Sequence, residues 1–279
     1  MAEIIKNMSG NLKRRIVMKN LLKLLVLVLC IVCVSALFTG CAGKGDKLIV
    51  ATNAEFPPFE TKNVSTDELE GFDIDLINEI AKKLGVEVEF KNMDFKAIVG
   101  SVQSGASDVS VSGMSITEER LKSVDFSEAY YNASQVAIVK NDDTVFANAT
   151  TKEAIDELLK GKKIGVCAGF TGGDYVEGSE AFPGIEGATK KSYDNINLAV
   201  IDLQNGAIDV IIMDDVVAKK AASRNKDSVK VIDVALSTEQ YGIAIGKNDA
   251  ELKGKIDKAL QELKEEGFID SLIRKWIEE

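Results

Sequence analysis

Apolar residues along the chain fall into two alternating rhythms. Short apolar runs, among them Leu48 to Thr52, Val86 to Phe90 and Asp108 to Ser112, read as strands, and helix-spaced segments lie between them. Leu76, Ile77, Ile80 and Leu84 define a helix from Asp73 to Leu84, with Gly85 placed to end it. Asp94 is placed to cap another through Ser104, carrying Phe95 in its first turn, and Gly105 stops it before the strand at Asp108. Tyr130 to Lys140 is a further strand-like run, after which a second series begins. Thr150-Thr-Lys-Glu153 matches a capping box for a helix ending near Gly161. The strand Lys163 to Ala168 then feeds Gly169-Phe-Thr-Gly-Gly173, a glycine-rich turn ahead of a helix beginning near Asp174. Val229 to Val234 and Tyr241 to Ile245 read as strands, and Asp249 to Glu266 as an amphipathic helix stopped by Gly267. The short last helix carries Trp276 as a packing residue. Strands alternating with helices predict parallel sheet and an α/β fold.

An internal echo divides this pattern in two. Val102-Gln-Ser-Gly-Ala-Ser-Asp-Val109 and Leu203-Gln-Asn-Gly-Ala-Ile-Asp-Val210 share Gln, Gly, Ala, Asp and Val at the same offsets, each a helix end, a Gly stop and a strand start. Continued in register, Gly113 falls opposite Asp214. Alone, Asp214-Asp215 reads as a solvated loop or a cap for a helix from Val216 to Ser223. The echo instead puts both positions at the carboxyl ends of equivalent strands, where open α/β sheets place ligands.

The N-terminus follows neither rhythm. Lys6, Lys13, Arg14, Arg15, Lys19 and Lys23 precede an apolar section from Leu24 to Phe38, and Thr39-Gly40-Cys41 closes it. The apolar section is shorter than the roughly 20 residues a spanning helix needs, and its basic front fits an export signal over residues 1–40. Leu37-Phe-Thr-Gly-Cys41 resembles a lipobox, so Cys41 is expected to carry a lipid, with residues 41–47 as tether. Met18 also reads as a natural start. Cys30 and Cys33 fall in the leader, which leaves Cys167 alone and excludes an internal disulfide framework. The whole chain has 279 residues and a net charge of −10, and the body without its basic leader is more acidic still. Such a body repels nucleic acid. No histidine is present, which removes serine-triad and His-metal chemistry. Neither a metal nor an organic cofactor is expected.

Candidate chemistry gathers at Ser112-Gly-Met-Ser-Ile-Thr-Glu-Glu-Arg120, where a strand empties into small residues and Thr117 begins a helix. Arg120, one turn in, suits a carboxylate bidentately, and Gly113 and Ser115 offer hydrogen bonds beside it. An Arg balancing Glu118 and Glu119 at the surface is the plainer reading. Phe56 is held at a strand's end by Pro57 and Pro58, which forbid helix there. The turn at 169–173 offers backbone N–H groups to an anion but lacks the nucleotide fingerprints.

Taken together, Leu48-Ile-Val-Ala-Thr-Asn-Ala-Glu-Phe-Pro-Pro-Phe-Glu60, Gly71-Phe-Asp-Ile-Asp-Leu76, Met93-Asp-Phe95, Gly113 to Arg120, Asp125-Phe-Ser127, Ile208 to Asp214 and Gln240-Tyr-Gly-Ile243 resemble the family 3 solute-binding proteins of polar amino-acid ABC transporters, over about residues 46–279. The resemblance implies a type II periplasmic-binding-protein fold: two α/β lobes with a ligand cleft, joined by two crossing strands near Tyr130–Gln135 and Ser237–Tyr241. Lobe 1 would comprise residues 48–130 plus 241–279, and lobe 2 residues 131–240. It also implies Arg120, Ser115 and Thr171 on a ligand α-carboxylate, and Asp214 with the Gly113 carbonyl on its α-ammonium. Phe56 and Phe95 would wall the side-chain pocket, with Asn53 at its far end and Cys167 and Phe170 lining it. Asn53 stands where relatives often carry Asp, which weakens a cationic ligand in favour of a neutral polar one such as glutamine or cystine; basic and acidic amino acids stay open. The implied protein is a monomeric, lipid-anchored extracytoplasmic binder that serves a permease and is not an enzyme. Rivals are a sensory subunit and a dehydratase-like enzyme using Glu55 and Asp214 as acid or base.

Overall fold

The structure is a computed structural model that describes residues 47–278; the leader, Cys41 and most of the tether lie outside the described residues. The chain opens with β1 (Lys47–Thr52), a small antiparallel layer of β2 (Glu55–Phe56), β3 (Glu60–Lys62) and β4 (Leu69–Glu70), and then α1 (Phe72–Leu84). Next come β5 (Glu87–Asn92), α2 (Phe95–Gln103), β6 (Val109–Ser110), α3 (Glu118–Leu121) and β7 (Val124–Phe126). After β8 (Tyr131–Ala133) the second series runs β9 (Gln135–Lys140), α4 (Lys152–Leu159), β10 (Lys163–Cys167), α5 (Thr171–Glu177), β11 (Thr189–Tyr193), α6 (Ile196–Gln204), β12 (Val210–Asp214), α7 (Asp215–Arg224) and β13 (Val229–Ile232). The chain closes with β14 (Glu239–Tyr241), β15 (Ala244–Gly246), α8 (Ala250–Glu265) and α9 (Phe268–Leu272), which runs on into a π-helical segment, Ile273–Glu278, that carries Trp276.

Two five-stranded sheets result, ordered β5-β1-β6-β15-β7 and β11-β10-β12-β9-β13. In each, three parallel strands meet an antiparallel fourth at the same place: β15 against β6, and β9 against β12. The echo is therefore structural. Helices α2 and α6 end at Gln103 and Gln204, and β6 and β12 start at Val109 and Val210. Central strands covered by helices on both faces are continuous apolar runs, and every residue of β12 is buried. Edge strand β5 has no fully buried residue: Glu87, Glu89 and Asn92 are exposed and Val88, Phe90 and Lys91 half-buried. Between the sheets, β8 and β14 cross as an antiparallel pair that matches Tyr131 with Tyr241 and Ala133 with Glu239. Together they form the mixed α/β architecture of two sheet-containing lobes.

Several expected boundaries move. The strand expected over Tyr241–Ile245 is two, because the chain leaves the crossing pair after Tyr241 and joins the first sheet only at Ala244. Between them the Gly242 N–H donates to the Met114 carbonyl at 3.1 Å rather than to a ladder. Helix α5 starts at Thr171, so Gly172 and Gly173 belong to its first turn rather than to a preceding loop. The cap of α4 is Thr151, whose Oγ1 accepts from the Ala154 N–H at 3.2 Å, one residue later than the expected box. Trp276 packs on the core and also donates from Nε1 to Asp75 at 2.8 Å. Among the described residues no helix is long and apolar enough to cross a membrane.

Candidate functional site

The loop after β6 turns at Gly113 with φ 49°, and its N–H donates to Asp73 Oδ2 at 2.7 Å. A Cβ there would lie 2.3 Å from Phe56 Cε1, so the absent side chain is what lets that ring rest on the loop. Ser115 bridges to Tyr241, and the Ile116 N–H donates to the Gln240 carbonyl at 2.8 Å, fastening the loop to β14. Thr117 caps α3 as expected, its Oγ1 accepting from the Arg120 N–H at 3.2 Å. That cap points the Arg120 side chain across the lobe junction. Nη1 donates to the Ser115 carbonyl at 2.7 Å, and Nη2 to the Gly169 carbonyl of the second lobe at 3.0 Å. The guanidinium lies 5.3 Å over the Phe95 ring. Its burial lowers its pKa, opposed by Asp174, Glu239 and Asp214, and a guanidinium remains charged under any such shift. No carboxylate side chain is bonded to it among the described residues.

Ser115 and Thr171 do come together, but on a group the sequence does not single out. Ser115 Oγ donates to Glu239 Oε2 at 2.6 Å and Thr171 Oγ1 donates to the same oxygen at 2.8 Å. Ser237 Oγ donates to Oε1 at 2.7 Å. The Glu239 carboxylate, on crossing strand β14 and buried, thus ties a first-lobe loop to the start of α5 in the second lobe. Gln135 Nε2 donates to Thr171 Oγ1 at 3.0 Å, and its own Oε1 is buried without a partner among the described residues.

Asp214 ends β12 and is 2% exposed. Tyr241 Oη donates to Oδ1 at 2.6 Å, whereas Oδ2 has no partner among the described residues. Burial raises its pKa to about 7, with Glu239 repulsion adding and hydrogen bonding from Tyr241, from the nearby Gln135 amide and from the backbone opposing. A buried carboxylate oxygen without a protein donor is suited to a proton or to a donor brought by a cation. Cys167, at the end of the neighbouring β10, is buried, and its thiol is pushed up to about 12 by burial and by repulsion from Asp214 and Glu55. It is an inert apolar neighbour rather than a nucleophile.

Three rings close the junction. Phe170, at the N-cap of α5, stacks on Phe95 at 4.1 Å between centroids and on Phe56 at 5.1 Å. The two expected pocket walls are therefore bridged by Phe170, a contact that parts only if the lobes open or its ring turns. Outside the stack a cavity of about 240 Å³ is lined by Asn53, Glu55, Asp94, Phe95, Lys96 and Asp194, among others. Asn53 Nδ2 is spent on the Met93 carbonyl at 2.9 Å, which leaves its oxygen to face a partner. Three carboxylates against one ammonium make this mouth acidic.

Glu239 escaped sequence reasoning because its role depends on Ser115 and Thr171, which are distant in sequence and lie off the strand it pairs with. Its one available signal is alternation, since Glu239 and Tyr241 are two apart on a strand and share a face.

The whole arrangement is similar to known proteins. Residues 48–279 match the model of bacterial extracellular solute-binding proteins, family 3. An arginine-binding extracellular protein of Bacillus subtilis is 32% identical, with 90% of this chain and 96% of that protein covered. A probable histidine-binding protein of Neisseria gonorrhoeae is 32% identical over 84% of each chain. Among solved structures, an ancestral arginine-binding protein bound to glutamine is 43% identical, with a TM-score of 0.72, and the match covers 84% of this chain and 98% of that one.

Proposed function

Because the chain belongs to the family 3 bacterial extracellular solute-binding proteins, we propose that it captures a free amino acid between its two lobes and presents it to the permease of an ABC transporter. The observation that carries this reading is a split pair of opposite charges. Among the described residues the Arg120 guanidinium hydrogen-bonds only to carbonyls, and Asp214 Oδ2 is buried without a partner. A zwitterion bridges them: its α-carboxylate meets Arg120, the Thr171 N–H and the hydroxyls of Ser115 and Thr171, and its α-ammonium meets Asp214 and the Gly113 carbonyl. Since Arg120 belongs to residues 48–130 plus 241–279 and Asp214 to residues 131–240, such a ligand favours the closed arrangement of those lobes. Charge-assisted hydrogen bonds contribute roughly 1.5–3 kcal/mol each, so a few reach the roughly 8 kcal/mol of micromolar binding.

Asn53 in place of Asp supports a neutral polar side chain such as glutamine. The acidic mouth supports a second reading, a basic amino acid such as arginine, because Glu55, Asp94 and Asp194 outnumber Lys96 there. Both cargoes end in N–H donors suited to the Asn53 oxygen. Export through residues 1–40 and a lipid on Cys41 would hold the monomer at the outer face of the membrane.

Thermal unfolding of the full chain, after denaturation and refolding to strip carried-over ligand, tests the reading against the twenty amino acids and cystine. A cargo at a hundredfold its dissociation constant adds about 2.7 kcal/mol of stability. Arg120→Ala should abolish that rise at the same concentration while leaving the ligand-free midpoint within a few degrees. A variant that binds as tightly as the parent overturns the carboxylate assignment.

A further inference from the structure

Each hydroxyl carries one donor, and at the lobe junction both donors are already used. Ser115 Oγ and Thr171 Oγ1 give theirs to a single oxygen of Glu239, at 2.6 and 2.8 Å. In this state neither hydroxyl can donate to an incoming carboxylate, although they are the two hydroxyls assigned to it above. Glu239 is held there from both lobes at once, and Ser237 fixes its second oxygen. With Asp214 and Arg120 close by, the site already contains two acids and one guanidinium, so a third carboxylate added beside an unmoved Glu239 meets its repulsion in a buried setting.

We propose that Glu239 is a tethered competitor: its carboxylate occupies the ligand's α-carboxylate subsite in the unliganded protein, and an amino acid binds by displacing it from Ser115 and Thr171. The device deepens the proposed function and rests on that reading of the subsite. Ligand exchange is then a swap of one carboxylate for another on the same donors. The swap spares the two hydroxyls from being buried unpaired between ligands. It also makes affinity depend on the α-carboxylate in particular, because a compound without that group gains nothing from removing Glu239.

The test is calorimetric titration of the full chain, wild type, Glu239→Gln and Glu239→Ala, with L-arginine, L-glutamine and every other amino acid that raises the unfolding midpoint, each beside its decarboxylated amine, agmatine in the case of arginine. If the self-occupied state holds about nine-tenths of the unliganded protein, releasing it tightens amino-acid binding about tenfold. The amines, which displace nothing from the two hydroxyls, should not share that tightening. Binding in a Glu239 variant where wild type shows none also supports the competitor. Binding that is unchanged or weaker in both variants overturns it, showing that Glu239 supports the subsite instead. If in that case Arg120→Ala still weakens binding, the proposed function survives without the competitor. No binding by any of the three proteins overturns both. A crystal structure of the wild-type complex gives a readout that needs no variant: Glu239 Oε2 off both hydroxyls supports displacement, and Oε2 still on both refutes it.

Discussion

Asp214 turns burial into a pH dependence of binding. Its carboxyl is raised to about 7 because it is buried, with Glu239 repelling it, Tyr241 bonded to it, and Arg120 and Cys167 nearby. An ammonium ligand requires the ionised form. Below about pH 7 the unliganded site holds a proton that must leave on binding, so affinity should fall by up to about tenfold per pH unit. Calorimetry at pH 6 in buffers of different ionisation enthalpy should report release of most of one proton, and at pH 8 little release. Proton release that does not change between these pH values would show that Asp214 does not receive the charge. Much of this site is legible in sequence. Thr117 followed by Arg120 is a local cap, and the echo places Asp214 opposite Gly113. Glu239 and the Gln135 amide are not legible, because each acquires its role from a hydroxyl more than thirty residues away.

At the scale of elements, the sequence fails where one residue decides which of two adjacent signals wins. Thr150-Thr-Lys-Glu153 contains a capping box in one register, yet Thr151 Oγ1 takes the Ala154 N–H and Glu153 lands in the first turn, where it still favours the helix dipole. Thr151→Ala should therefore cost about 1 kcal/mol of stability, whereas Thr150→Ala should cost no more than about 0.5 kcal/mol. Equal losses in urea unfolding of the two variants would restore the earlier register. The segment after β10 is helical from Thr171 for a related reason. Gly172 and Gly173 read as a loop because glycine is a poor helix former, but a Cβ on Gly172 would come within 2.9 Å of the Ile212 carbonyl and 3.0 Å of Gln135 Oε1. Close packing of α5 on β12, rather than loop geometry, requires that glycine. Helices α1 and α8 were readable almost to the residue, since Gly85 and Gly267 sit at their ends with φ of 73° and 72°.

For the molecule as a whole, the fully buried pair Glu60 and Asp73 should make the unliganded protein more stable in mild acid than at neutral pH. Asp73 Oδ2 accepts from the Gly113 N–H at 2.7 Å and from Tyr130 Oη at 2.8 Å, and Glu60 Oε1 accepts from Ser112 Oγ at 2.8 Å. Each acid keeps one oxygen, Glu60 Oε2 and Asp73 Oδ1, without a partner among the described residues. A proton carried by Glu60 and donated to Asp73 serves both. Burial raises Asp73 to about 7, and burial with Asp73 repulsion raises Glu60. A carboxyl raised on folding binds more protons in the native than in the unfolded state. Its contribution is therefore complete below the unfolded value of about 4 and is lost as pH rises through the folded one. The loss should be at least roughly 1 kcal/mol, a fall of about 2–4 °C in unfolding midpoint between pH 5 and pH 8 for a chain of this size. General repulsion in a protein of net charge −10 has the same sign, but 1 M salt screens exposed charges and leaves a buried pair nearly untouched. The pH slope should persist in 1 M sodium chloride and flatten in Glu60→Gln, whose amide keeps an acceptor for Ser112 and a permanent donor for Asp73. A slope abolished by salt and unchanged in that variant would assign the effect to the surface. Because Asp73 also holds Gly113, the same proton steadies the loop beneath Phe56 and Ser115, so the acid-stabilised core and the ligand site are one structure joined through a single backbone N–H.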